Sequence, residues 1–465
     1  FTRSKLFLTL GLVFLITTGQ SCLKGGNQEA QKAYKPIELN YWRVFDGSET
    51  LQPLFEQYSK LHPNVSINYR QLRYEEYEKE LINALAEDRG PDILSIHNTW
   101  VRAYQSKLLP MPTKTTLPYP VVKGSIKKET VIEMKTEASP TLRQIKNNFI
   151  DQVAKDVIVY DETEADPAKR DKVYGLPLGV DTLAMYYNRD LLNNAGISQP
   201  PTTWSRFQEV VKKLTRLDKQ GNILLSGAAI GSSSNIVRAN DIISVLMMQN
   251  GTIMAADSGA AIFNQIPAGI KRDGPPAVDA IRFYTDFANP TKEVYTWSSK
   301  MPNSLDAFVT GQTAIFFGYS FHAAVIKART PKLNLAIAKL PQIEGNPEVN
   351  YANYWLETVS KKSKNPDFAW NLIQYLTDAK NVKQHLDLAK KPTALRSLIN
   401  AQIEDDDLFV FASQLLTSKS WYRGKDPNVA EKIIGEMIDQ ALAGVAELPE
   451  ILNLAVGRVN QTIDR

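Results

Sequence analysis

Past Pro36 the chain keeps switching between two periodicities. Ile37 to Trp42 is a short apolar run that reads as a strand, and Leu51, Leu54, Phe55, Tyr58 and Leu61 then recur at the spacing of one helix face. His62-Pro63-Asn64 ends that helix, and Val65, Ile67 and Tyr69 alternate as a strand. Tyr74, Tyr77, Leu81, Ile82 and Leu85 form a second helical face, broken at Gly90-Pro91, and Asp92 to Ile96 is a third strand. This βαβαβ order predicts parallel strands with helices covering the sheet. Ligands of such sheets bind beyond the carboxyl ends of the strands. Two loops are thereby nominated, Arg43 to Ser48 and His97 to Trp100.

The pattern continues in the second half. Pro177 and Gly179 keep the chain extended before a strand at Leu183 to Tyr187. Gly196 stops the helix begun near Arg189, because glycine takes the left-handed C-cap conformation without steric cost. Pro200 and Pro201 lead to Thr203, the N-cap of a helix with Phe207, Val210, Val211, Leu214 and Leu217 on one face. Asn365-Pro366-Asp367 opens another helix, with proline near its first position. Two amphipathic helices, Ala430 to Ala446 and Ile451 to Ile463, close the chain. Met111 to Lys172 is charged and weakly patterned, and reads as a partly helical insertion with an exposed loop. Gly227 to Asn235 is rich in glycine and serine but lacks the Lys-Ser/Thr of a phosphate-binding loop.

Composition narrows the function classes. A net charge of +4 on 54 basic and 50 acidic residues, without a long basic run, argues against nucleic acid. The apolar run Leu6 to Ile16, preceded by Arg3 and Lys5, is shorter than the ~20 residues that span a bilayer. It fits the core of a secretory signal. Cys22, the only cysteine, follows it directly, so an intrachain disulfide is ruled out. The polar stretch from Leu23 to Lys35 reads as a tether.

Several of these segments resemble one family. Val173 to Trp204, with its Tyr-Gly-Leu-Pro, its Ala184-Met185-Tyr186-Tyr187-Asn188 run and its Pro-Pro-Thr-Thr-Trp, is similar to the extracellular solute-binding proteins of bacterial ABC importers, which include the maltose-binding proteins. Phe308 to Ala314 resembles the family's Phe-x-x-Gly-x-x-Ala signature, and Leu340-Pro341 with Tyr354-Trp355 resembles its return crossing. The resemblance implies an α/β, two-lobed periplasmic-binding-protein-like fold. Each lobe would be a mostly parallel sheet flanked by helices, and the lobes would be discontinuous and joined by hinge crossovers. Residues 36–181, with 111–172 as insertion, and 357–396 would form lobe one; 182–356 and 397–465 would form lobe two. Residues 1–22 would be a lipoprotein signal with Cys22 as the lipidation site, and 23–35 the tether. The implied function is capture of a small polar solute, a mono- or oligosaccharide, by hinge closure and delivery to an ABC permease. The protein would be a monomer held by its lipid on the outer face of the cytoplasmic membrane, without a cofactor.

Sugar recognition needs flat apolar faces for ring C–H groups and planar polar groups for hydroxyls. Around the expected cleft the candidates are Trp42, Phe45, Asp46 and Glu49 after the first strand, and His97, Asn98 and Trp100 after the third. The resemblance adds Asp181 before the first crossing, Tyr354 and Trp355 on the return crossing, and Arg396. Many relatives place tryptophan at the position of Ser320, so stacking there would fall to Tyr319. Trp204 and Trp370 sit inside helical patterns and read as core. The alternatives are a ligand-sensing lipoprotein without transport and a secreted glycan-active enzyme using paired carboxylates. Against an enzyme, the four histidines lack the H-E-x-x-H spacing of a zinc site, and a Gly-x-Ser-x-Gly elbow does not occur.

Overall fold

The computed structural model describes residues 28–463. Signal segment, Cys22 and the first part of the expected tether lie outside the described residues. The tether reading changes from Gln28 onward: Gln28–Ala33 is a short helix with Ala30 fully buried.

The first sheet follows the predicted order. Ile37–Val44 pairs in parallel with Val65–Leu72 on one side and Ile93–His97 on the other. The helices Ser48–Leu61 and Tyr74–Ala86 connect these strands, burying Leu51, Leu54, Phe55 and Tyr58 from one and Tyr77, Leu81 and Leu85 from the other. Far later in the chain, Trp355–Ser360 enters antiparallel beside Ile93–His97 and is itself bordered by Leu108–Leu109. A hydrophobic core surrounds this sheet and includes Leu395, Ile399, Ala412 and Leu415. First-core packing thus extends to Leu415, beyond the Arg396 boundary expected from the resemblance, because the helix Arg396–Ile403 turns Ile399 back onto the first sheet.

A second core gathers around Ala184–Asn188, flanked by Ile315–Gly318 and Leu335–Ala338. Both pairings are antiparallel, in contrast to the mostly parallel sheet expected for this half. Thr203 caps the helix Trp204–Leu214 by accepting from the Arg206 amide, and Gly196 holds φ 69°. Leu217 lies past the end of that helix and is exposed. Trp204 and Trp370 are buried, as their helical settings predict. The helices Pro427–Ala443 and Leu448–Asn460 pack on the second core.

Three short strands knit the two cores together. Asn350–Asn353 pairs antiparallel with Asp181–Thr182 and parallel with Ser418–Lys419. The chain therefore passes between cores near 181, 353 and 418, within one small ribbon. The 111–172 segment is less helical than expected: Lys114–Lys123 and Glu129–Ala138 form a hairpin of ten residue pairs. Pro118 and Pro120 hide it from pattern reading. They are tolerated because a two-stranded ribbon has only edge strands, where a missing N–H need not face a partner.

Candidate functional site

The strand ends and crossings converge between the two cores. After Ile37–Val44 the chain turns sharply at Phe45, whose φ of 70° is a left-handed conformation unfavourable for a side chain with a Cβ. The turn lifts the ring out of the first core. Phe45 stacks between Tyr74 and Phe321, at centroid distances of 5.8 and 5.6 Å and 19° to each ring. Phe321 belongs to the helix Phe321–Arg329 of the second half, so this stack crosses between the halves. Trp355 meets Phe45 edge-on at 5.8 Å and is itself surrounded by Tyr77, His97 and Trp100.

Beneath the rings lies a charged floor. Asp46 accepts from Arg43 Nε at 2.7 Å and pairs with Lys391 Nζ at 2.5 Å. Burial alone would raise its carboxyl, but the two cations hold it well below the usual carboxylate range. Arg43 also pairs with the buried Glu357, which accepts from Tyr41 Oη and Ser95 Oγ at 2.6 and 2.5 Å. On the first crossing, Asp181 accepts from the Ser320 amide at 2.9 Å and from Ser320 Oγ at 2.6 Å. Burial pushes the Asp181 carboxyl up to about 6, with the Ser320 hydrogen bonds and nearby Lys391 pulling against it. His385 also lines this space; its Nε2 has no hydrogen-bond partner, and burial pushes the ring down to about 4. The open volume enclosed is about 70 Å³, room for a few water molecules.

Across the Asn353–Trp355 crossing lies a second, smaller cavity of about 30 Å³. Its walls include His97 and Asn98 from the first half and Tyr351, Trp421 and Arg238 from the second. Arg238 makes a two-pronged pair with Asp241, at 2.7 and 2.8 Å, and reaches Glu431 at 3.3 Å. His97 Nδ1 lies 2.8 Å from Thr99 Oγ1, and burial lowers its pKa. Asn98 Nδ2 donates to Asp156 and Ser420 at 3.0 and 2.9 Å, leaving its buried Oδ1 without a partner.

Of the residues nominated from sequence, Phe45, Asp46, Asp181, Tyr319, Tyr354 and Trp355 line the first cavity, and His97 and Asn98 the second. Four lie elsewhere. Trp42 points to the other side of its strand from Tyr41 and packs under the Arg70 guanidinium, 4.8 Å from the ring centre. Glu49 is exposed in the first turn of its helix and lines neither cavity. Trp100 is core, stacked on Tyr104 at 5.8 Å. Arg396 pairs with Asp151 at 2.6 Å in a separate groove. Two of those within reach are also less free than expected. Tyr319 is buried, donating to Asp241 at 2.6 Å, and Tyr354 donates to Asp156 at 2.7 Å. The ring offered to the cleft is Phe321, two residues past Tyr319. Sequence reading missed it together with Tyr74, Lys391, Arg238 and Trp421. Only Tyr74 carried a signal, as the first apolar position of a helix starting at a strand end.

Comparison with known proteins bears on the fold and the family. Residues 46–383 match the family model described as bacterial extracellular solute-binding protein. The chain is 22% identical over 432 residues to the galactooligosaccharide-binding protein of Bacillus subtilis strain 168, covering 92% of this chain and 88% of that one. Among solved structures it resembles the cyclic α-maltosyl-1,6-maltose binding protein of Arthrobacter globiformis, with TM-score 0.69, 17% identity and coverage of 92% and 99%. It likewise resembles an ABC transporter solute-binding protein of Thermotoga lettingae TMO bound with α-D-tagatose, with TM-score 0.65, 17% identity and the same coverage. With two α/β cores joined by three crossings around a common cleft, and with a family match over most of its length, the chain belongs to the bacterial extracellular solute-binding proteins.

Proposed function

We propose that the protein is the receptor of an ABC importer, capturing a mono- or oligosaccharide between its two halves and presenting it to the permease as a lipid-anchored monomer. The observation that carries this reading is the aromatic stack at the cleft mouth. Phe45, Tyr74 and Phe321 are partly exposed rings, and parting Phe45 from Phe321 would free two flat faces of the kind that pack on sugar C–H groups. Asp181, Asp46 and Lys391 lie within the same cavity and supply charged acceptors and a donor for hydroxyls. The three relatives named above bind galactooligosaccharide, cyclic maltosyl-maltose or tagatose, all carbohydrates. About 70 Å³ is too little for a sugar ring, so entry requires Phe321 and Phe45 to part and close again over the ligand. Attachment through Cys22, on the outer face of the cytoplasmic membrane, belongs to this proposal.

The test is a thermal-shift screen of the mature chain against sugars, polyols, amino acids and short peptides. A ligand that binds only the folded state raises the melting temperature with concentration. The expected result is a dose-dependent shift with one carbohydrate class, the ligand being recovered unchanged. Phe45→Ala should weaken that ligand about fivefold, through loss of one stacking face worth roughly 1 kcal/mol. Shifts only with amino acids or peptides would overturn the sugar assignment, and conversion of the ligand into products would overturn the receptor reading.

A further inference from the structure

The hairpin Lys114–Ala138 is anchored at its base and bare at its apex. Leu117 joins the first core, Ile132 is buried, Tyr119 packs on His62 at 4.5 Å, and Glu137 and Ser139 accept from Asn371 and Gln374. Ten residue pairs at about 3.4 Å each give the ribbon a length of ~30 Å. At the far end Gly124, with φ 99°, makes the turn, and a Cβ there would strike the Lys127 carbonyl. The apex exposes two aliphatic side chains, Val122 at 63% and Ile126 at 100%. Around them stand Lys123, Lys127 and Lys128, three cations against two glutamates, Glu129 and Glu133. Lys123 pairs back along the ribbon with Glu133, and Lys127 pairs with Glu129. Lys128 is exposed and makes no ion pair among the described residues.

A second observation bears on what lies near the hairpin. The helix Gln28–Ala33 lies against both strands of the hairpin. Cys22 precedes Gln28 by six residues, which can span at most about 20 Å. A membrane attachment at Cys22 therefore holds the hairpin beside the lipid surface. Lysines around exposed aliphatic side chains match the chemistry of an anionic headgroup layer, with phosphates outside and acyl carbons beneath.

We propose that the apex, Val122 to Lys128, docks on the anionic surface of the membrane that carries the protein. Ile126 and Val122 enter the headgroup layer, and Lys123, Lys127 and Lys128 meet lipid phosphates. The inference takes from the proposed function only the attachment at Cys22, and does not depend on which solute is bound.

The experiment uses the mature chain with Cys22→Ser, so that no acyl chain contributes, and measures co-sedimentation with vesicles. Vesicles rich in phosphatidylglycerol should bind the protein and pure phosphatidylcholine should not, with binding lost as salt rises from 0.1 to 0.5 M. Lys127→Glu with Lys128→Glu should weaken binding roughly twentyfold or more, whereas Lys127→Arg with Lys128→Arg should preserve it. Ile126→Ser should weaken it roughly fivefold. All variants should keep the wild-type melting temperature and solute response, so that failure of the receptor reading shows separately, in the thermal-shift screen. Equal binding to both vesicle types, or apex variants that bind like wild type, would overturn the proposal. So would a wild-type dimer in sedimentation velocity that the apex variants turn into monomer, since the patch would then join two copies of the chain.

Discussion

Arg43 ties the cleft floor to the returning strand. It is buried and serves two carboxylates at once, Asp46 at the cleft floor and Glu357 on the returning strand. Arg43→Met would leave Glu357 buried without its cation, and should cost about 3–5 kcal/mol in urea unfolding. A loss near zero would mean that water reaches the pair. Asp181 permits a test by pH. Its carboxyl titrates at about 6 when folded, against 3.8 ordinarily. Between these values the native state holds a proton that the unfolded chain has released, so its contribution to stability falls as pH rises from about 4 to 6. His62, His322 and His385, each pushed down to about 4 by burial, act in the opposite sense over the same range. The informative quantity is therefore the difference from Asp181→Asn. The variant should gain relative to wild type between pH 4 and 6; parallel curves would remove Asp181 as the source.

At the scale of elements, legibility followed how locally each element is determined. Thr203 and Gly196 act within one turn of chain, and both do what their chemistry predicts. Thr203→Ala should cost about 1 kcal/mol from the lost cap. A Cβ on Gly196 would meet nothing within 4 Å, so Gly196→Ala should cost only backbone strain, about 1 kcal/mol. Thermal or urea unfolding of each variant checks both figures. The first sheet was readable because its strands alternate with helices of clear periodicity. The 114–138 hairpin was not, because Pro118 and Pro120 interrupt the strand signal and its pairing stands off the main sheets. Cleft residues were half legible. Strand ends nominated Phe45, Asp46 and His97, which do line the two cavities, but which side a residue faces past a strand end depends on how the next helix enters. That choice buried Tyr319 against Asp241 and turned Phe321 outward. Trp42 shows the same limit: one residue along a strand reverses the face.

For the molecule as a whole, the question is what holds the halves together. Besides the Phe45–Phe321 stack, Asn428 donates to Glu78 at 2.8 Å and Asn98 to Ser420 at 2.9 Å. Gln152 and Asp156 add hydrogen bonds with Ser420, and Asp156 an ion pair with Arg423, so that beside the three-stranded ribbon the named contacts are mostly polar, a balance that a ligand can tip. Phe321→Ala removes the aromatic stack across the mouth. Without ligand it should raise the radius of gyration in small-angle X-ray scattering, and saturating ligand should restore the wild-type value. An unchanged profile would mean that the ribbon alone sets the angle between the halves.

The position of Trp355–Ser360 has a consequence for biosynthesis. This strand lies between Ile93–His97 and Leu108–Leu109, so the first sheet is missing an interior member until all three strands of the second half's central sheet have been made. Such distant pairing slows folding. A ribosome-bound N-terminal half should thus stay protease-sensitive well after its own residues have emerged, which gives an export machine an interval in which to thread a still-pliable chain.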